Sequence, residues 1–452
     1  MHGFSANQHL VYAKGAPEKI VAMSQFVLKG KKHIRLTPEL HDQIQKKFFN
    51  LSEKGLRLLA LAYRKVPAKD ADLRSLVEHG TGWVFVGFVG IKDPLRATAA
   101  QTIRETQEAG IRTIMITGDH PLTAKAIAAE IFLPVGDTAM MEGKDLVRLS
   151  EEQLRERVRS VSVFARVTPE DKLRIVDALQ ANGEVVAMTG DGVNDSPALK
   201  AADIGVALGS GTEVAKDAAD LVLLDDRFET IVAAVKQGRV IFDNIRKIIL
   251  YLLSDSFSEI FLITASLLLG IPLPLTAVQI LWINLVTDGF PNVALTAEPE
   301  EPDIMRVRPR GRRLGIMNNE MKFFITMISL VTGAMSLAVF WIVYRATDNI
   351  LLAQSVTFAT SGIDSLVYVF AIRSTRRSIF HMNFFGNRFL LLAVFGGLLL
   401  QLAPIYWPFL SQFLGVVALG WFEWSLALSA ALLSLILIEL SKGFFIYVQK
   451  RA

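Results

Sequence analysis

The sequence predicts a doubly wound α/β domain followed by an α-helical transmembrane bundle of six helices. Three observations carry this. Charged and apolar stretches alternate through residues 1–250, as in a water-exposed domain, and long apolar runs take over from Ile248. In the first half, strand-like runs at 84–91, 112–117, 162–167, 184–189, 204–208 and 221–225 alternate with amphipathic stretches at 97–109, 120–131, 169–181 and 228–240. That alternation is the pattern of a mostly parallel sheet flanked by helices. In the second half, six stretches (246–269, 275–296, 321–345, 351–372, 387–411 and 424–447) come near the roughly 20 apolar residues that span a bilayer core.

In chain order, residues 1–80 form a partial domain of their own. Strand-like His9–Ala13 meets a helical pattern at 18–24 through Lys14-Gly15-Ala16-Pro17-Glu18, and a second helical pattern, 39–54, leads into strand-like Leu56–Tyr63. Lys14 and Arg57 either face a nucleotide phosphate or are surface charges; composition alone favours the surface. No secretory leader is visible in residues 1–20, and the abrupt opening near a strand suggests a truncated start. Residues 81–242 are the α/β domain and 243–452 the membrane domain. Arg306, Arg308, Arg310, Arg312 and Arg313 follow the second span, Arg373, Arg376 and Arg377 the fourth, and Lys442, Lys450 and Arg451 close the sixth. The opposite connections hold almost no cations, which places both termini in the cytoplasm. The net charge of +4 then reflects cytoplasmic loops, and nucleic-acid binding is not indicated. There is no cysteine, so disulfides and thiolate metal sites are excluded.

Ligands of doubly wound sheets sit at the carboxyl ends of the strands, and two such ends carry chemistry. After 112–116 comes Thr117-Gly118-Asp119, then His120-Pro121 opening a helix whose amino end favours an anion. Alone, this reads as a plain turn. After Val185–Met188 comes Thr189-Gly190-Asp191-Gly192-Val193-Asn194-Asp195. Magnesium takes one or two carboxylates plus phosphate and water; Asp191 is the metal-ligand candidate, with Asn194 and Asp195 positioning it. Lys172 offers a point charge to a phosphoryl group. No GxxxxGK[ST], no GxGxxG and no histidine metal spacing is present, and the seven histidines have no assigned role.

Ionisable groups inside a bilayer are costly and mark ion paths. On the first span Asp255, Ser256 and Glu259 share a face; on the second, Asn284, Thr287 and Asp288 do so, and Gly289 and Pro291 invite unwinding there. Carboxylate, amide and hydroxyl oxygens on two facing helices suit a hard cation such as calcium. Asp364 in the fourth span is a further candidate, weighed against a packing role.

These motifs together resemble the P-type ATPases, closest to the sarcoplasmic-reticulum-type calcium pumps and their bacterial relatives, from end to end. Lys14–Glu18 is similar to the KGAPE motif of the nucleotide-binding domain, and Leu56–Ala62 to its return strand, with Arg57 at the phosphate-contacting arginine. Asp93-Pro94-Leu95-Arg96 is similar to the DPxR hinge, Thr117–Asp119 to TGD, Asp191–Asp195 to GDGxND, and Phe164-Ala165-Arg166 with Lys172 to the FAR segment and phosphate lysine. Trp282–Gly289 resembles the sixth membrane helix, so the six spans correspond to family helices five to ten.

The resemblance implies a HAD-like phosphorylation domain, ATP and Mg2+ as cofactors, a transported cation with Ca2+ favoured, and a multi-pass membrane location, the plasma membrane if bacterial. Three departures stand out. The DKTGT motif is absent; the only Asp-Lys pair is Asp171-Lys172. The actuator domain and first four membrane helices have no counterpart. Ser256 stands where the calcium pumps have Asn, beside an added Asp255. The resemblance therefore implies a carboxy-terminal part that is inactive alone. The alternatives are a half-pump completed by a second polypeptide carrying the front half, and a non-enzymatic, magnesium-binding membrane scaffold.

Overall fold

The computed structural model describes residues 2–5, 8–52, 56–67, 81–91, 95–309, 311 and 315–449. They form two compact units: residues 1–233 with 306–312, and residues 234–305 with 313–452. Asp93 and Pro94 of the expected hinge, Arg310, Arg312, Arg313, Lys450 and Arg451 lie outside the described residues, as does the side chain of Arg57.

The first unit holds two layers of different origin. Strands β1 (His2–Ser5), β2 (Gln8–Gly15), β3 (Ser24–Lys29), β4 (Lys32–Arg35), β5 (Arg57–Pro67) and β6 (Trp83–Ile91) make a sheet of order β1-β2-β5-β6-β3-β4. Helices α1 (Pro17–Met23) and α2 (Pro38–Ser52) supply Ile20, Val21 and Ile44 to its core, against Val11, Ala60, Ala62 and Trp83. Strand β6 was grouped with the parallel sheet by its sequence; it instead pairs antiparallel with β5 and parallel with β3. Its run Trp-Val-Phe-Val-Gly-Phe-Val-Gly-Ile is apolar on both faces, which does not decide the choice of partner, and only Trp83, Val84 and Phe85 are buried.

Next come α3 (Ala99–Glu108), β7 (Met115–Ile116), α4 (Pro121–Glu130), β8 (Met140–Glu142), α5 (Gly143–Leu146), α6 (Glu151–Arg157), β9 (Val163–Ala165), α7 (Pro169–Ala181), β10 (Ala187–Gly190), α8 (Ser196–Ala201), β11 (Ile204–Leu208), α9 (Glu213–Ala218) and β12 (Leu221–Leu223). Their strands form two parallel three-stranded sheets, β7-β9-β8 and β10-β11-β12. Alternation along β9 sorts the helices: Val163 and Ala165 face α4, while Phe164 faces α6 and α7. Helix α7 starts cleanly because Thr168 and Asp171 form a reciprocal capping box ahead of Pro169.

The second unit is helical. Among the described residues five helices are long and apolar enough to cross a membrane: α10 (Phe228–Leu268), then, further on, Asn319–Thr347, Ile350–Ile372, Arg388–Tyr406 and the one beginning at Trp421. The expected second span, 275–296, is not one helix. It runs as α11 (Ala277–Trp282), a π-helical turn Ile283–Thr287, and α12 (Gly289–Leu295). Five of the six expected spans are thus long helices, and the second, where unwinding was expected, is interrupted. Pro291 accounts for the break: it has no N–H for the carbonyl of Thr287, four residues back. The remaining helices are α13 (Asn319–Thr347), α14 (Ile350–Ile372), α15 (Arg388–Tyr406), α16 (Pro408–Leu414) and α17 (Trp421–Gln449). Helix α14 is the most enclosed, which fits its Ser- and Thr-rich sequence: Ser355, Thr357 and Thr360 return their hydroxyls to their own helix's carbonyls.

Candidate functional site

In the first unit the chemistry gathers at the carboxyl ends of β7, β9 and β10. Thr117 donates its N–H to Phe164 O at 2.9 Å, and Val167 N–H and Arg166 N–H return to Thr117 O and Asp119 O. This stitches the turn after β7 to the turn after β9. Thr117 Oγ1 donates to Asp119 Oδ2 and accepts from Asp119 N–H, both at 3.1 Å, so Gly118 is held in a tight loop with Thr117 half-buried at its lip. Arg166, in the left-handed region at φ 52°, turns its guanidinium onto Glu18 Oε1 at 2.7 Å, and His120 Nε2 stands 3.6 Å from the same oxygen. Glu18 and His120 had no assigned chemistry in the sequence; only Glu18's place in the Lys14–Glu18 string hinted at one. Burial opposes the charge of Glu18, but its own backbone hydrogen bond and Arg166 hold the carboxyl below its ordinary value. Burial, then the Arg166 charge, pushes the His120 imidazole below its own. Lys14 is exposed at the end of β2.

After β10, Gly190 lets the chain double back: a Cβ there would lie 2.5 Å from that of Asp195. Asp195 is buried, accepts from Gly192 N–H at 3.3 Å and pairs with Lys172 of α7. Asp191, exposed, is anchored through its backbone carbonyl by Thr212 N–H at 2.8 Å, leaving its carboxylate outward; Asn194 is exposed beside it. Lys172 therefore links the two strand ends, since α7 leaves the β9 turn that holds Thr117 and its lysine meets the β10 turn. Asp171 is not a stand-in phosphoryl acceptor: it is 3 % exposed and its Oδ2 accepts both Thr168 N–H and Oγ1–H at 2.8 Å. Asp191 is exposed on the turn whose Asp195 holds the Lys172 ammonium, an arrangement that suits a magnesium-bound phosphate.

In the second unit the polar groups converge at the broken helix. Asn284 Nδ2 donates to Glu259 Oε2 at 2.9 Å, joining the π turn to α10. Thr287 donates to Gln401 Oε1 on α15 at 2.9 Å. Asp288 Oδ1 accepts from Tyr251 at 3.2 Å and from Ser365 of α14, and Tyr368 donates to Asp255 Oδ1 at 3.3 Å. Asp255, Thr287, Asp288 and Asp364 are all buried, while Ser256 is half-buried and outside this network. Tyr251, Ser365, Tyr368 and Gln401 were not singled out in the sequence, because a hydroxyl or amide in a membrane helix usually signals packing.

Four acidic side chains crowd here: Asp255 and Asp288 meet each other and Asp364 meets Ser434, while Glu259 Oε1 finds no protein partner. Carboxylates this close repel one another unless a proton or a cation sits between them. Among the described residues, no three His, Cys, Asp or Glu converge tightly enough to hold a metal by themselves. The donor set is therefore mixed, with hydroxyl, amide and carbonyl oxygens around the carboxylates.

Three family models match: the P-type ATPase cytoplasmic domain N over residues 1–98, the haloacid dehalogenase-like hydrolase over 173–235, and the cation transporting ATPase C-terminus over 272–444. A calcium-transporting ATPase of Bacillus subtilis is 42% identical over 420 residues, 92% of this chain and 47% of that protein. One from Listeria monocytogenes is 37% identical over 98% of this chain and 50% of its own length, and one from Saccharomyces cerevisiae 37% over 92% and 44%. The chain spans about half the length of the curated relatives it matches.

Proposed function

We propose, because this chain belongs to the P-type cation-transporting ATPases, that it serves as the carboxy-terminal part of an ATP-driven pump whose cargo is Ca2+. The observation that carries the reading is the gathering of the buried carboxyls of Asp255, Asp288 and Asp364, with Glu259, around a π-helical break. Oxygen-only donors of mixed charge favour a hard cation with flexible coordination, calcium before magnesium. The calcium-transporting relatives support the same cargo. Thr287 completes the candidate set, with Asn284 orienting Glu259, while Ser256, expected there from the sequence, lies outside this network.

On the cytoplasmic side Mg2+, when bound with ATP, supplies charge neutralisation at the transferring phosphoryl group. Asp191 would hold it. Lys172 keeps a positive charge beside the β10 turn, Asp195 fixes that lysine, and the Thr117 hydroxyl is positioned to donate to a phosphoryl oxygen once freed from Asp119. Arg166, with Lys14 and Arg57, makes the nucleotide-facing set. The phosphoryl-accepting aspartate lies outside residues 1–452, so the chain works only with the front half of the pump, in one polypeptide or two. Both ends of the chain are placed in the cytoplasm, and in a bacterium the membrane is the plasma membrane.

The test is ATP-dependent 45Ca2+ uptake into vesicles holding this chain co-expressed with a front half from a calcium-transporting relative. Uptake is expected with the pair and absent with either part alone, and Asp288→Asn is expected to lower calcium affinity at least tenfold. Equal uptake by the Asp288→Asn protein overturns the cation-site assignment; no uptake by the pair overturns the pump reading.

A further inference from the structure

The connection between α14 and α15, residues 373–387, joins two membrane helices and so lies at one face of the bilayer. Its backbone is built, not slack. Ser378 caps a single turn at Ile379–His381 and Asn383 another at Phe384–Gly386, each side chain accepting the N–H two residues on. Three tethers hold these turns to the bundle. Arg373 donates to Phe384 O at 3.2 Å. Glu439 of α17 accepts from Ser378 Oγ at 2.7 Å and from Ile379 N–H at 3.2 Å. Asn387 donates to Ala294 O of α12 at 3.0 Å. Phe384 adds a stack on Phe370, with ring centroids 4.8 Å apart.

Against this fixed backbone, two large rings stand bare: Phe380 is 86% exposed and Phe385 71%. The apolar exposure runs on into α15 through Phe389, Leu392 and Phe395. Leu392 and Phe395 lie within a membrane helix, where an exposed apolar side chain meets acyl chains, and Phe389 carries that surface back to the helix's first turn. Exposed apolar groups gathered on one surface mark an interaction site, and beside a membrane helix the partner at hand is the lipid. The charges agree. No Asp or Glu occurs between Asp364 and Glu423. Arg373, Arg376 and Arg377 take their carboxylates from another segment, at Glu298, Asp303 and Glu301. His381 and Arg388 are exposed and make no ion pair among the described residues. Arg388 is the first residue of α15, where a cation opposes the helix dipole. The fold itself therefore disfavours a positive charge there, and an anion outside the protein favours it.

We infer that this connection is a docking surface for anionic phospholipids of the leaflet on its side. Arg388 and His381 meet the headgroup phosphates, and Phe380, Phe385 and Phe389 seat among the upper acyl carbons. The tethers to Glu439 and Ala294 keep the rings from folding back onto the protein, so the surface is formed before the lipid arrives. Anionic lipid is specified over zwitterionic because the charge left unpaired is positive, and a zwitterionic headgroup would bring an ammonium of its own against it. A membrane is specified over a protein partner because the connection is pinned between two membrane helices and shares its apolar surface with one of them.

The chain has no cysteine, so Met382→Cys, between the two turns, can carry a single environment-sensitive NBD label on the full chain. The labelled protein is placed in nanodiscs of phosphatidylcholine, with or without phosphatidylglycerol, containing a lipid with a nitroxide near the top of its acyl chain. Quenching is expected to be at least twofold stronger with phosphatidylglycerol. Arg388→Gln combined with His381→Gln should abolish that gain. Phe380→Ser combined with Phe385→Ser, which keeps both cations, should lower quenching in both kinds of disc. A label at Ala418→Cys, in the connection between α16 and α17, should show no phosphatidylglycerol dependence. Equal quenching in the two discs, a gain that survives loss of both cations, or equal gains at Met382 and Ala418 overturns the proposal. A label open to water in every disc assigns this surface to a protein partner and overturns it as well. The measurement needs neither ATP nor calcium, so its outcome is independent of the pump reading.

Discussion

Glu18 shows how a residue without an evident role organises a site. Its carboxylate receives Arg166 from the turn after β9 and faces His120 from the turn after β7, drawing together two loops that sequence treats separately. Both groups titrate below their ordinary values in the folded protein, so the unfolded chain binds more protons in the acidic window and stability rises with pH there. The His120 contribution is complete above about pH 6.5 and is lost as pH falls through the lowered value; that of Glu18 is complete above about 4.5 and is lost below it. Hydrogen exchange of residues 115–130 should therefore be flat above neutrality and quicken in two steps on acidification. Glu18→Gln should abolish the lower step and leave the upper one; a single step unaffected by Glu18→Gln refutes the assignment. Of this cluster the sequence made Arg166 legible through its motif. His120 was not, because a histidine at a helix start is more often a plain cap, and it does accept Leu122 N–H.

At the scale of elements, the interrupted helix is where local chemistry decides most. Gly289 and Pro291 predicted unwinding after Asp288, and the break lies one turn earlier, at Ile283–Thr287, because proline acts on the carbonyl four residues before it. Gly397 accommodates the result: a Cβ there would meet Leu366 at 2.8 Å and stand 3.5 Å from Thr287 O, so α15 comes close to the widened turn. Restoring the missing donor with Pro291→Ala should draw the segment toward regular α-helix and move Asn284 and Thr287 off their partners. Half-maximal calcium for ATP-dependent uptake by the co-expressed halves is expected to rise at least tenfold; an unchanged value shows the π turn to be incidental. The same scale explains the other differences from the sequence reading. Apolar periodicity located β6 but not its sheet, since pairing partners are chosen by contacts remote in sequence. Of the parallel strands after it, β7, β10 and β11 run into glycine turns and were legible, β9 and β12 were legible from their apolar runs alone, and the three-residue β8 was not among the expected strands.

For the whole molecule, charge is expected to decide orientation in the membrane, and the second unit shows how those charges are held. The arginines expected to set the orientation are paired: Arg373 meets Glu298 at 2.8 Å with both nearly enclosed, Asn387 donates to the other Glu298 oxygen, and Arg377 and Arg376 meet Glu301 and Asp303. Lys442 pairs with Glu439 on α17 and donates to Ala371 and Ser374 carbonyls. One rim of this unit is thus an ion-paired collar. The connections at 270–274 and 412–420 carry no lysine or arginine, and Asn349 and Asp348 close the third such turn. Anchored charges resist translocation more than free ones, since moving them would also break the collar, so the bundle should adopt one orientation only. The absence of native cysteine makes this measurable by single-cysteine variants in intact cells. Gly270→Cys and Ala418→Cys should react with a membrane-impermeant maleimide added outside. Thr375→Cys, beside the collar, should react only after permeabilisation. Labelling of Thr375→Cys in sealed cells, or a mixture at every position, would show that the collar forms without fixing the topology. The expectation that both termini face the cytoplasm would then lose its support.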